Sequence, residues 1–311
     1  MQKAFARYAV AVLGYNLLVI LWGAYVRATG SGAGCGNHWP LCNGVVVPHA
    51  PAVNTLIEFT HRLMSGVDVV AVGLLAVWAF RVFPPRHLAR LGASLSAVFL
   101  VTEALIGAAL VKLEQVAQNA SVGRAYSLSG HLINTLALLA CLTLTVWWAR
   151  HSAALQFRGR AAALAIPGLL LFLLVGVSGA IAALGDTLFP VHSLAEGLRQ
   201  DFDPAASFFL RLRLLHPILA VATGTWLLFY GFLYRRWALM TLVASQIAAG
   251  ALNLLWLAPI WMQMVHLLLA DLVWIALVVA IGSSLQDLDL SAAGFTRPAL
   301  LHTPTPTPTE N

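Results

Sequence analysis

The sequence predicts an all-α membrane protein of eight transmembrane helices, forming two pseudo-symmetric four-helix bundles with both termini cytoplasmic. Three observations carry that prediction: a charge-poor composition, eight segments long enough to cross a bilayer, and a motif pattern that occurs twice. Of 311 residues, 60% are hydrophobic and only 10% charged, against about 25% charged in ordinary soluble domains. The mean hydropathy of +0.82 agrees, so the solvent for most of the chain is lipid. The net charge of +6 does not signal a nucleic-acid partner, because no basic run interleaves with aromatics on a polar surface. In a membrane protein an excess of Lys and Arg reports orientation instead.

Each spanning helix needs about 20 mostly apolar residues, and eight segments qualify, at roughly 9–27, 60–82, 91–112, 128–149, 161–184, 210–233, 237–257 and 260–283. The first follows Lys3 and Arg7 as a signal peptide would. It is as long as a span, and no small-residue cleavage site precedes Arg27, so it reads as a retained helix. Gly107, Gly176, Gly179 and Gly250 fall inside spans, where glycine is tolerated. Of the 18 Lys and Arg residues, 11 fall on the side of Lys3, Arg81, Arg150 and Arg235. They fill short loops, which marks that side as cytoplasmic. The long loops at about 28–59, 113–127 and 185–209 then face outward. The organisation is an N-terminal bundle (1–150), a C-terminal bundle (161–284) and a cytoplasmic tail (285–311), whose Thr-Pro repeats and lack of apolar content read as disordered.

The halves repeat each other. An outward loop leads to Glu58 and His61 in the first half and to His216 in the second. Glu103 stands four residues before Gly107, and Gln246 four before Gly250; His131 and His266 then open the fourth and eighth spans. With an even number of spans per half, both copies keep one orientation and the axis relating them runs along the membrane normal.

Ten histidines sort by position. His38, His49, His87, His151, His192 and His302 lie in loops or tail, whereas His61, His131, His216 and His266 lie within the first turns of spans two, four, six and eight. These four share a depth near the outer face. Parallel diagonal partners in a bundle can clamp one planar ligand between two imidazoles, the arrangement that holds heme iron. Zinc is the alternative, but no cysteine or second carboxylate completes a tetrahedral set near either pair. Glu58 lies one turn before His61 on the same face, where a carboxylate can polarise water or take a proton. Asp68 continues that stripe, as a functional carboxylate or as a bridge between helices through Ser65 or a neighbour. Arg27, Arg62, Arg211 and Arg213 flank the outer mouths, where heme propionates need cations or where long side chains snorkel. Cys141 sits in an apolar run and reads as packing.

The stretch Gly23–Gly44 (GAYVRATGSGAGCGNHWPLCNG), followed by Glu58–Arg62 (EFTHR), resembles the heme A synthase family. The resemblance extends over all eight spans, with the first-half motifs the more specific. It implies an enzyme of the cell (inner) membrane that oxidises a methyl group of heme O to a formyl by successive hydroxylations with water-derived oxygen. It implies Glu58 as the catalytic residue, His61 and His131 as ligands of the substrate heme, and His216 and His266 as ligands of a resident heme b. It also implies an outward disulfide between Cys35 and Cys42. A separation of seven residues can close with ordinary geometry, on an outward loop where oxidation persists; a redox-active and a structural bridge both stay open. Heme O synthase, cytochrome oxidase assembly factors, the lipid bilayer and further copies of the chain are the expected partners. Three departures stand out. Gly36, Asn37 and His38 replace the usual Pro-Asp after the first cysteine, Pro217 follows His216 where Arg is expected, and the second half has no cysteine pair.

Two other functions use the same histidines: a di-heme b-type electron carrier of the quinol oxidoreductase kind, and a heme-binding transporter. Only the enzyme clearly needs Glu58 beside one heme site. Heme O synthase itself is disfavoured, because prenyl transfer requires clustered aspartates to hold magnesium diphosphate, and no loop here carries them.

Overall fold

In the computed structural model, residues 1–151 and 159–292 are described, with side-chain surroundings up to residue 285. Among the described residues, eight helical spans are long and apolar enough to cross a membrane: α1 (Gln2–Ala28), α2 (Val53–Val82), α3 (Leu88–Lys112), α4 (Val122–Trp148), α5 (Gly159–Leu188), the pair α7 (Phe208–Arg213) and α8 (Leu215–Leu233), α9 (Trp237–Leu255) and α10 (Ile260–Ala292). Several begin earlier than hydropathy alone suggests. The second starts at Val53 instead of 60, so Glu58 belongs to the helix that carries His61.

Three expectations need correcting. The segment 185–209, expected as an outward loop, is not all loop, because α6 (Leu194–Phe202) lies within it. Ser193 Oγ accepts from Glu196 N at 3.2 Å and Glu196 Oε2 accepts from His192 N at 2.8 Å, so an S-x-x-E signature starts the helix. The sixth span is broken at Leu214. Pro217 has no N–H for the Arg213 carbonyl four residues back, and its ring crowds that oxygen. The tail does not begin at 285: α10 continues to Ala292. Residues 293–311, with His302 and Arg297, and the stretch 152–158 with Arg158, lie outside the described residues.

In lipid the helices cannot rely on a hydrophobic drive between them, so packing and inter-helix hydrogen bonds hold the bundle. The α1–α2 pair is stitched at heptad intervals. Tyr8 Oη donates to Ala71 O at 3.0 Å, Tyr15 Oη to Met64 O at 3.2 Å, and Trp22 Nε1 to Ile57 O at 3.0 Å. Donors advance by seven on α1 while acceptors retreat by seven on α2, as an antiparallel pair requires. At α3–α4 the crossing is tight: a methyl group on Gly92 would stand 2.6 Å from Thr145 Oγ1. In the second half Trp226 Nε1 donates to Leu164 O at 3.1 Å and Thr223 Oγ1 to Leu171 O at 3.2 Å, tying α8 to α5.

Contacts run in two cycles, α1–α2–α3–α4 back to α1 and α5–α8–α9–α10 back to α5, while α1 and α4 pack on α5 and α10 between the cycles. Along that seam Trp274 Nε1 donates to Leu136 O at 2.8 Å, and the Trp274 ring lies 5.0 Å from that of Phe172. One buried cluster therefore holds Leu136 and Leu139 of α4 together with Val273 and Leu277 of α10.

Candidate functional site

One cavity of about 680 Å³ runs through both halves, and His61, His131, His216 and His266 all line it. Three of these rings are backed by a glycine on the preceding helix. A methyl group built on Gly23, Gly179 or Gly250 would stand 2.9, 2.9 and 3.0 Å from Cε1 of His61, His216 and His266. Absence of a side chain at these positions is therefore what lets each imidazole approach its neighbour helix so closely. Gly107 has open space instead; there Glu103, one turn earlier, reaches the ring, with Oε1 3.4 Å from His131 Nδ1. In the second half Gln246 Nε2 lies 3.3 Å from His266 Nε2, and Ser178 Oγ lies 3.1 Å from His216 Nδ1.

The donor set fits a heme held between two imidazoles. The ring centres of His216 and His266 are 6.4 Å apart. A metal–imidazole bond is about 2 Å and the ring centre stands roughly 1 Å behind the nitrogen, so two rings flanking one metal have centres about 6 Å apart. The Nδ1 atoms of His61, His131 and His266 are buried without hydrogen-bond partners, as expected of rings whose final orientation a ligand sets. Among the described residues no three His, Cys, Asp or Glu side chains gather as a metal set, so two imidazoles per half are the available donors.

The first half carries a further apparatus. Glu58 is only 3% exposed. Its Oε2 accepts from Cys35 N at 2.8 Å, and its Oε1 accepts from Arg62 Nη2 at 2.5 Å and Nε at 3.2 Å. Arg62 in turn donates through Nη1 to His38 O at 2.5 Å and Leu41 O at 2.6 Å. The Cys35–Cys42 disulfide is formed, with Cα atoms 4.4 Å apart. Thr55 Oγ1 donates to Gly34 O at 2.7 Å. The cysteine loop is thus strapped to the first turns of α2, directly over Glu58. A capped carboxylate beside a cavity-lining imidazole can orient a polar group and exchange a proton with it.

The remaining expected residues divide. Arg27 lines the cavity and bridges the halves, donating to Ala183 O at 2.7 Å, Thr187 Oγ1 at 2.9 Å and Gln263 Oε1 at 3.0 Å. Asp68 is fully buried and accepts from Asn16 Nδ2 at 2.6 Å, so it bridges α2 to α1, not through Ser65, which donates to His61 O. Arg213 forms ion pairs with Asp186 at 2.8 Å and Asp201 at 2.5 Å. Arg211 is exposed, donates to Pro204 O, and does not join the cavity wall. Sequence reasoning passed over Arg124, which is 3% exposed, lines the cavity and donates to Ala117 O and Asn119 O at 2.6 and 2.8 Å. Its spacing of seven from His131 puts it on the same helix face, a signal that was available. The link from Glu58 to Cys35 had no sequence signal, because it joins a loop to a helix 23 residues away.

Residues 6–278 match the COX15-CtaA family model, described as a cytochrome oxidase assembly protein. Among curated proteins the chain is similar to a Thermus thermophilus protein named protoheme IX farnesyltransferase, 50% identical over 294 residues, which cover 90% of this chain and 48% of that protein. It is also similar to a Geobacillus kaustophilus heme A synthase, 43% identical over 111 residues, covering 36% of this chain and 35% of the relative. A Lysinibacillus sphaericus heme A synthase is 43% identical over 104 residues, covering 33% and 34%. The matched stretch spans less than half the length of each of these relatives.

Proposed function

The chain belongs to the COX15-CtaA family of cytochrome oxidase assembly proteins, and from that premise we propose that it is a heme A synthase, an oxidoreductase converting a methyl group of heme O to a formyl. The observation that carries the reading is Glu58, buried beneath the cysteine loop and one turn from His61. The second half has Arg213 at the corresponding place, engaged with Asp186 and Asp201.

In this reading His61 and His131 hold the substrate heme and His216 and His266 hold a resident heme b, which supplies one-electron redox chemistry when bound. Glu58 holds and moves protons at its carboxylate, with water as the source of oxygen. Each hydroxylation releases protons and electrons in equal number. Arg62 keeps Glu58 oriented and fastens the loop above it through two carbonyls. Arg27 spans the seam between the halves, where a cation can meet a propionate. The two contact cycles support a pseudo-two-fold arrangement with its axis along the membrane normal. The distribution of Lys and Arg supports cytoplasmic termini in a cell (inner) membrane, which puts the cysteine loop outside.

The farnesyltransferase name of the Thermus relative describes a protein about twice as long as the stretch matched here. Prenyl transfer needs aspartates gathered on magnesium. The close pair Asp201 and Asp203 is committed elsewhere, to Arg213 and to Ala205 N. Oxidation is the activity these residues fit, with a prenyltransferase as the kind of enzyme that supplies the substrate.

The test is co-expression with a heme O producer followed by identification of extracted hemes. Formyl or hydroxymethyl heme is the expected product. Unchanged heme O, from protein that has bound it, would sink the enzyme reading in favour of an electron carrier or transporter.

A further inference from the structure

We propose that Glu103 is the positioning residue of the first histidine pair, receiving the Nδ1 proton of His131 and leaving Nε2 bare for iron. The proposal rests on the reading of His131 as an iron ligand. Glu103 lies in a membrane-spanning helix, where an ionisable side chain is costly and needs partners. It has them: Oε2 accepts from Asn134 Nδ2 at 2.6 Å and Oε1 accepts from the Thr135 hydroxyl. Asn134 is itself fixed, donating to Phe99 O at 2.8 Å and accepting from Thr102 Oγ1 at 2.6 Å. These donors fix the carboxylate in place, and it acts through what it touches.

What it touches is His131. Oε1 stands 3.4 Å from Nδ1, a contact slightly longer than a closed hydrogen bond. That nitrogen is buried and has no other hydrogen-bond partner among the described residues. Gly107, one turn beyond Glu103, has nothing within 4 Å of a built methyl group, so the ring has room to turn and close the bond. A ligating histidine that gives its second N–H to a carboxylate is fixed in tautomer and becomes a stronger donor to the metal.

The second half makes the point by contrast. Gln246 occupies the same place relative to Gly250, but it meets the other ring nitrogen of His266, Nε2, at 3.3 Å, and His266 Nδ1 is buried with no hydrogen-bond partner among the described residues. Stronger donation from His131 stabilises the oxidised iron, because hydrogen bonding to the axial ligand is one of the levers on potential. Loss of the Glu103 contact is therefore expected to raise the potential of an iron held in the first half.

Spectroelectrochemical titration of the full chain loaded with hemin tests this. Glu103→Gln is expected to raise the potential of one component, leave the other in place and keep hemin uptake. Unchanged potentials in Glu103→Gln with both sites loaded overturn the proposal. Nitrogen-15 NMR of histidine-labelled, heme-free protein reads the same contact without iron. The expected signal is His131 carrying its proton on Nδ1, with the preference lost in Glu103→Ala. A proton on Nε2, or a preference that survives that substitution, overturns the proposal. Where wild-type protein takes up no hemin, the functional reading is what fails, and the tautomer alone decides the role of Glu103.

Discussion

Three residues before His61 stands Glu58; three residues before His216 stands Arg213. One residue after the same histidines stand Arg62 and Pro217, and one turn before the helical glycines stand Glu103 and Gln246. The backbone plan is shared, with histidines against glycines in one cavity, yet the charges differ at the positions that surround the rings. In the first half the acid is turned inward and capped by a loop. In the second the basic residue is neutralised by Asp186 and Asp201. In the proposed reading a repeated scaffold offers two similar ligand cradles, and the side chains one turn away decide which of them can do proton chemistry.

Removing the acid breaks the comparison most severely. Glu58→Ala is expected to keep both hemes and lose conversion of heme O by about 10²–10⁴-fold, the usual range for a positioned proton-transfer group, measured by chromatography of extracted hemes. Normal conversion in this variant would mean that the halves do not differ as argued. Next in size are the proposed ligands. His216→Ala is expected to abolish the resident heme, read as loss of its low-spin absorption in purified protein, while His61→Ala keeps that signal and loses heme O binding. The reverse pattern would exchange the roles of the halves.

The eight spans and the four histidines were legible because lipid imposes a strong rule: about 20 apolar residues per crossing, and rare polar residues inside. The S-x-x-E start of α6 and the break at Leu214 were legible in principle from Ser193, Glu196 and Pro217, but hydropathy masks such local signals. Contacts between distant segments were not legible. That Cys35 N caps Glu58, that Asn16 holds Asp68, and that Arg27 reaches across to Gln263 depend on how helices meet, and no periodicity within one segment encodes that. Glu103 falls between these cases. Its spacing to Gly107 was visible, but its target ring was not.

The glycines sharpen the comparison at smaller scale. Gly23→Ala puts a methyl 2.9 Å from His61 Cε1. Overpacking of this kind costs about 1–3 kcal/mol, so heme O uptake should weaken by about 5- to 150-fold where that cost falls on the bound state. Gly14→Ala, on the same helix, meets nothing within 4 Å and is expected to bind normally. Equal effects from the two substitutions in a heme titration would show that close packing behind His61 does not set its position.

The disulfide is expected to give the smallest effect, and its size separates two roles. Cys35→Ser/Cys42→Ser releases a short loop closure worth about 2–3 kcal/mol, which a thermal unfolding scan reads as a modest fall in Tm. The loop keeps its other fastenings: Thr55 on Gly34 O, Arg62 on His38 O and Leu41 O, and the Cys35 amide on Glu58. None of these uses sulfur. If the bridge only braces the loop, Glu58 stays capped and conversion falls by a few-fold at most, tracking the loss of stability. A variant that keeps its Tm yet converts as poorly as Glu58→Ala would instead make the sulfur pair part of the electron path. The asymmetry between the halves would then include a redox group as well as an acid.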